Sequence, residues 1–330
     1  MNIGVLCGGN SSEHEISIIS ALDLINKNDE YKLLYLTKEN ELYYIKNPTI
    51  DNILNLKGKR VYLNKYGFKG IKIDFVILTV HGRNAEDIMG CVLDFYKIPY
   101  LGSSIYPSII AMDKELTYLK LKQLNIDVLD KMILYNGAIP DIKKYPVIIK
   151  PARSGSSIGI NVAHNQNELL EYMNVAYKED NKIIIEPYID NMVELCVAFY
   201  KDKDVIMSKV EMINNQKEIF DYDEKYKNRN EDFKHSYVDD NMLINEIYEI
   251  GKRIYDEFEF EDIIRIDFIL SNEKLYVNEI NSIPGSLGLY LFEDKTILSK
   301  LVKNKYRKSV KKKYINSPID KEIIGLNSKK

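Results

Sequence analysis

RIDFILSNEKLYVNEINSIPGSLGLYL, residues 265–291, decides how the rest of the chain is read. An apolar run over 263–270, the turn residues Ser271, Asn272 and Glu273, and an alternating run into Pro284 and Gly285 predict a β-hairpin. The strand period of two puts Arg265 and Asp267 on one face of the first strand, and Glu279 and Asn281 on one face of the second. With a three-residue loop over 272–274, the register sets Asp267 opposite Glu279 and Arg265 opposite Asn281. A solvated hairpin with an incidental ion pair is the plain alternative. Hard oxygen donors converging beside a cation and a Pro-Gly corner point instead to magnesium-phosphate chemistry. Mg²⁺ takes few protein carboxylates and fills its other positions with water and phosphate oxygens, and one carboxylate can bridge two ions.

Working outward, residues 147–160 read VIIKPARSGSSIGI. A strand delivers Lys150, small residues make a loop whose backbone amides can close over phosphates, and a second strand starts at Ile160. Lysine is a point charge suited to phosphate oxygens, and glycine lets the backbone approach them. Nearer the start, residues 3–7 form a short apolar strand, Gly8-Gly9-Asn10 a turn, and Ser11-Ser12-Glu13-His14-Glu15 opens a helix carrying Ile16, Ile19, Leu22, Leu24 and Ile25. Such a corner receives anions, while Glu13 or Glu15 in a first turn is equally served by the helix dipole. Residues 75–80 are a buried strand running into His81-Gly82, and side chains just past its carboxyl end point into the crevice where α/β domains bind ligands. His81 reads equally as a structural histidine or a substrate-side residue. Short strands at 31–36, 42–45 and 61–63 carry no chemistry, and an amphipathic helix over 245–258 packs behind the hairpin.

The chain has 330 residues, 45% of them hydrophobic, which allows a large core and two or three domains. A net charge of -3 exerts no broad pull on nucleic acid. Cys7, Cys91 and Cys196 lie far apart without metal-ligand spacing, which predicts small buried apolar roles and a reducing compartment. The opening MNIGVLCGG lacks the basic and long apolar regions of a signal peptide, and no run reaches the length of a membrane span. A cytoplasmic protein without nucleic-acid or membrane partners is expected, with a homodimer as its assembly.

R-x-D followed by N-E-x-N-x-x-P-G resembles the ATP-grasp ligases, and within them the D-alanine:D-alanine ligase family. Over residues 1–302 the other motifs stand in the family's order: Gly-Gly then Ser-x-Glu-x-Glu-x-Ser, His-Gly, Pro-Tyr-x-Gly-Ser, Met-Asp-Lys, the 147–160 loop and Lys-Tyr at 225–226. The resemblance implies an α/β (α+β ATP-grasp) fold: an N-terminal Rossmann-like substrate domain over 1–105, a central ATP-grasp lobe over 106–186, a C-terminal lobe over 187–302, and a solvated basic tail over 303–330. It implies that Glu13 meets the ammonium of the first amino acid, and that Ser156 and Tyr226 belong to the catalytic set. Lys114, Lys150, Ser157 and Lys225 would serve the ATP phosphates. Glu186 and the backbone of Tyr188 and Ile189 would meet adenine, and Glu194 the ribose. Asp267, Glu279 and Asn281 would hold two Mg²⁺ ions, with Mn²⁺ an alternative, while Arg265 and the Gly285 amide stabilise an oxyanion. Residues 221–241 would close as a lid, and Lys225-Tyr226 favours an amine acceptor.

The implied reaction is phosphoryl transfer from ATP to a carboxylate, then attack of an amine on the acyl phosphate, with ADP and phosphate released. His81, Ser286 and Leu287 are the candidate substrate contacts. Two stretches depart from the family pattern. The loop after His81 reads HGRNAEDIMG with Ala85 where glycine is usual, and Ser286 stands alone where the family carries Ser-x-Ser-Leu. A pocket lined by Leu287, Leu289 and Leu291 would underpair an acceptor carboxylate, so D-alanine is expected to be a poor acceptor unless a backbone amide near Gly288 or the side chain of Arg83 compensates. The alternatives are a ligase for another amino acid or larger amine, and a nucleotide-binding sensor without catalysis.

Overall fold

The computed structural model describes residues 1–135, 137–213 and 236–311. Three sheets follow one another along the chain. In the first, β1 (Ile3–Gly8), β2 (Lys32–Leu36), β6 (Phe75–Leu78) and β7 (Tyr100–Leu101) are parallel, and β3 (Leu42–Ile45), β4 (Lys59–Asn64) and β5 (Gly67–Lys69) extend it antiparallel beyond β2. β1 and β6 are near-continuous apolar runs because parallel strands are covered on both faces. The helices α1 (His14–Lys27), α2 (Ile50–Leu54) and α3 (Glu86–Phe95) belong to this region. Neither α2 nor β5 was legible, since runs of five and three residues are too short to show a period.

After α4 (Ile105–Met112) and α5 (Lys114–Gln123) comes an antiparallel sheet of β8 (Met132–Tyr135), β9 (Val147–Pro151), β10 (Asn161–Ala163) and β11 (Lys182–Pro187). Val147, Ile149, Ile183 and Ile185 bury against Leu169, Met173 and Ala176 of α6 (Gln166–Glu179). The strand period therefore turns Lys150 and Glu186 to the other face.

The third sheet holds β12 (Val193–Lys201), β13 (Val205–Met207), β14 (Glu211–Ile213), β15 (Ser236–Tyr237), β16 (Ile264–Ser271) and β17 (Lys274–Asn281). One face, with Leu195, Val197, Phe199, Ile266 and Phe268, packs on Ile247, Ile254 and Tyr255 of α7 (Asn241–Glu257). This helix begins four residues before the expected start at 245, because the Asp240 side chain caps it by accepting from the Met242 and Leu243 amides. A helical turn over Gly285–Leu291 and α8 (Ile297–Lys311) complete the described chain. The described part of the tail expected over 303–330 is helical: α8 runs on to Lys311, with Leu301 and Val302 in the first core and Tyr306 edge-on to Phe75 at 6.3 Å between ring centroids.

The β16–β17 hairpin has the expected partners for a different reason. Its loop is the two residues Asn272 and Glu273, both left-handed at φ 49° and 60°, so Ser271 pairs with Lys274. That turn alone would set Glu279 out of register with Asp267. A bulge restores it: Phe268 pairs with Val277 and Asp267 with Glu279, so Asn278 is the extra residue. The bulge also switches parity, which lets Leu275, Val277 and Ile280 all enter the core. Glu279 and Asn281 are thereby turned out beside Asp267 and Arg265.

Candidate active site

Glu13 precedes α1 and is buried between the first and second sheets. The Ser156 hydroxyl donates to its Oε1. A Cβ on Gly155 would lie 2.5 Å from Glu13 Oε2, and one on Gly82 2.9 Å from the same atom, so a side chain at either position would push this carboxylate aside. Ser156 and Ser157 both hold left-handed backbone, at φ 51° and 59°, which folds the loop back over Glu13.

On the second sheet, Glu186 is held between two lysines on one strand face. Lys150 Nζ donates to its Oε1, and Lys131 Nζ lies 2.5 Å from its Oε2, with all three side chains at least nine-tenths buried. Burial alone would raise the Glu186 carboxyl, but the two ammoniums hold it down at about 2. Burial lowers Lys150 to about 8, helped by Lys131 and Lys114 and opposed by Glu186. Lys114 starts α5, capped by Asp113, and reaches across the gap between sheets: its Nζ donates to the Ser154 carbonyl at 2.6 Å and lies 3.2 Å from Glu279 Oε1. In the following segment the Tyr188 amide donates to the Pro146 carbonyl at 3.2 Å. Ile189 follows it, and Glu194 lies on β12 opposite Ile269.

On the hairpin, Arg265 forks Asp267 with bonds of 2.7 and 2.8 Å, and the Asn281 amide donates to Asp267 Oδ2 at 3.1 Å. The Cys196 thiol, opposite Asp267 on β12, donates to its Oδ1 at 3.2 Å. Burial and the Asp267 carboxylate push that thiol well up, so it stays protonated. Cys7 and Cys196 are buried, as expected, and Cys91 is half-buried.

Past the hairpin, a Cβ on Gly285 would meet nothing within 4 Å, so its backbone is approachable. Ser286, Leu287 and Gly288 follow at φ 47°, 55° and 61°, and the Ser286 amide donates to Ser20 Oγ at 3.3 Å. This left-handed turn removes the premise for a poor acceptor pocket. Leu287 and Leu291, 2% and 1% exposed, point into the core rather than line a cavity, so any substrate contact of Leu287 falls to its backbone. Arg83 is likewise engaged elsewhere, 3.3 Å from Asp180, which Arg153 also forks. His81 is buried, with Nε2 2.9 Å from Ser20 Oγ and a second bond to the Ile283 backbone; burial lowers it to about 4, so the ring is neutral near pH 7. Its position favours the structural alternative.

Lys225 and Tyr226, with most of the lid expected over 221–241, lie outside the described residues. The structure thus gathers Glu13 with Ser156, Lys150 with Glu186, and Lys114 with Glu279 near Asp267, Asn281 and Arg265.

Two family descriptions match the chain: D-ala D-ala ligase N-terminus over residues 2–103 and D-ala D-ala ligase C-terminus over residues 119–297. The chain belongs to the D-alanine-D-alanine ligase family. The ligase of Thermosipho africanus is 36% identical, with 89% of this chain and 88% of that one covered. That of Helicobacter pylori (strain P12) is 33% identical over 92% and 94%. The crystal structure of the Helicobacter pylori D-alanine-D-alanine ligase superposes with a TM-score of 0.79 at 32% identity, covering 92% of this chain and 98% of that one. The fold is therefore ATP-grasp behind an N-terminal α/β region, and the protein is an ATP-grasp carbon-nitrogen ligase.

In this family member, the donor set of Asp267, Glu279 and Asn281 fits Mg²⁺. Two carboxylates and an amide are too few for an all-protein cage and leave positions for water and phosphate oxygens, and among the described residues no group of three His, Cys, Asp or Glu gathers to hold a metal. Two polar residues carry no role in the sequence analysis. Glu86, buried, accepts from Ser282 Oγ at 2.6 Å, the Ile283 amide at 3.0 Å and the Gly82 amide at 3.3 Å, tying the His81 loop to the corner before Gly285. Burial pushes its carboxyl up to about 7, against the lowering bond from Ser282. Its Glu-Asp motif was visible but its partners, about two hundred positions away, were not. Lys131 carried no signal at all: it is one lysine at the head of a short strand.

Proposed function

We propose that the protein joins two D-alanine molecules, with ATP cleaved to ADP and phosphate. The activity is taken from relatives named D-alanine-D-alanine ligase at 36% and 33% identity. Lys114 carries the reading in this chain: one ammonium stands between the Ser154 carbonyl of the 147–160 loop and Glu279 of the hairpin, so a phosphate between those elements would meet both halves of the machinery at once.

ATP would lie between the second and third sheets. Lys114 and Lys150 then face its phosphates, joined by Ser157 and, from the lid, Lys225. Since the Tyr188 amide is bonded to Pro146, adenine would meet the Pro187 carbonyl and the Ile189 amide, with Glu186 behind them and Glu194 at the ribose. Asp267, Glu279 and Asn281 would hold Mg²⁺, two ions in this reading, which supplies charge neutralisation for the phosphates. A carboxylate oxygen of the first D-alanine attacks the γ-phosphorus, the bond to the bridging oxygen breaks, and ADP leaves. The amine nitrogen of the second D-alanine then attacks the acyl carbon. Its oxyanion is stabilised by Arg265 and the Gly285 amide, the carbon–oxygen bond to phosphate breaks, and the amine loses its proton. Glu13, oriented by Ser156 with Tyr226 as a further partner, would receive the first ammonium, while Ser286 and the Leu287 backbone meet the acceptor carboxylate; His81 supports that end through Ser20.

The same reading divides the chain near residues 105 and 186. A homodimer is proposed from apolar side chains left exposed on the packed helices α3 and α4, among them Phe95, Ile105, Tyr106 and Ile109. No described helix is long and apolar enough to cross a membrane, and a cytoplasmic site of action is proposed. Amino-acid-dependent ADP release across a panel of D- and L-amino acids tests the function. D-alanine is expected to give the highest rate, and preference for another amino acid, or ADP release indifferent to all of them, would overturn it.

A further inference from the structure

Glu186 is flanked by two lysines, although a single buried carboxylate needs only one counter-ion. Lys131 immediately precedes β8, and β8 runs antiparallel to β11 with Ile185 opposite Met132, which brings Lys131 opposite Glu186. Lys150 lies on the other side, on β9, where it pairs with Ile184. The side chains of Lys131, Glu186 and Lys150 are 5%, 2% and 7% exposed, and the trio carries one surplus positive charge. It faces away from the α6 core, and Lys131 lines a small cleft with Lys114, Tyr118, Leu121, Val277 and Glu279.

We infer that Lys131 is a positioning residue for the nucleotide: it neutralises Glu186 so that Lys150 can turn to a phosphate without leaving a buried carboxylate unpaired. The inference rests on the ATP reading given above. With a lone Lys150–Glu186 pair, an incoming phosphate would have to break a desolvated ion pair, and the bare carboxylate left behind would oppose binding. With Lys131 in place, Glu186 keeps a full counter-ion whichever way Lys150 points. The lowered Lys150 value agrees, since Lys131 and Lys114 repel its proton while Glu186 attracts it.

The test is steady-state kinetics of the full chain with ATP and D-alanine, comparing wild type with Lys131→Met, Lys131→Gln and Lys131→Arg. The two neutral variants should raise KM for ATP by about tenfold or more, with KM for D-alanine changed less than about twofold. Lys131→Arg should restore KM for ATP to within about threefold of wild type, because it returns the charge. ADP binding, followed by the shift it gives to the thermal midpoint, should weaken in the neutral variants alongside KM. Lys131→Gln keeps a hydrogen bond to Glu186 and is the fallback should Lys131→Met misfold. A folded neutral variant with wild-type KM for ATP, or an arginine variant as impaired as the methionine one, would overturn the inference and leave the ligase reading standing. A wild-type chain that does not consume ATP would overturn both.

Discussion

Glu279 is the residue at which most of the proposed chemistry meets: opposite Asp267 on the sheet, and 3.2 Å from the Lys114 ammonium. Glu279→Gln removes one negative charge at nearly constant volume. It is expected to cut kcat by well over tenfold, a barrier change above about 1.4 kcal/mol, while the thermal midpoint stays near wild type. A rate within tenfold would show that the charge is not used. Lys150 makes a second prediction. Its value is lowered to about 8, so its ammonium is present below that pH and is lost as pH rises through it. kcat/KM for ATP, which reports the free enzyme, should therefore fall about tenfold per unit above pH 8 and not below it. These residues were legible because each sits in a local motif, a lysine before Pro151 or a glutamate in N-E-x-N. Lys131 was not, since its meaning comes from cross-strand pairing with a residue 55 positions away.

The bulge at Asn278 shows how an element can be read correctly through a wrong intermediate. Alternation fixed which side chains share a face, so Asp267 was rightly set opposite Glu279, yet the extra residue was assigned to the loop rather than the strand. Sequence spacing counts residues between partners and is blind to where along the hairpin the surplus sits. Two tests separate the places. Deleting Asn278 should leave an unbulged hairpin with Glu279 still opposite Asp267 and Asn281 opposite Arg265, so ligation should be kept, and its loss would mean that the bulge itself shapes the site. Glu273→Gly at the turn relieves a left-handed non-glycine residue and should stabilise by about 1 kcal/mol, with activity unchanged. Loss of activity in that variant would mean the turn itself serves the site.

Contacts among the three sheets hold the parts of the site together: Glu13 with Ser156, Glu86 with Ser282 and Ile283, and Ser103 Oγ with the Ser282 carbonyl at 3.0 Å. Behind them Asp262, buried just before β16, accepts from the Gly102 amide at 3.0 Å and pairs with Lys305 of α8. Lys305→Met should strand that carboxylate and cost about 3 kcal/mol by chemical denaturation, most of it recovered by adding Asp262→Asn. Full stability in the single variant would mean that solvent reaches Asp262. Such long-range partners leave no trace in spacing, which is why the order of the motifs could be read but not the way they close on one another. The most direct test of the proposed reaction follows a label through it. D-alanine carrying ¹⁸O in its carboxylate, turned over with ATP and Mg²⁺, should yield D-alanyl-D-alanine and phosphate bearing one ¹⁸O, because the carboxylate oxygen that attacks phosphorus leaves with it. Dipeptide formed with unlabelled phosphate, or no dipeptide from D-alanine at all, would contradict it.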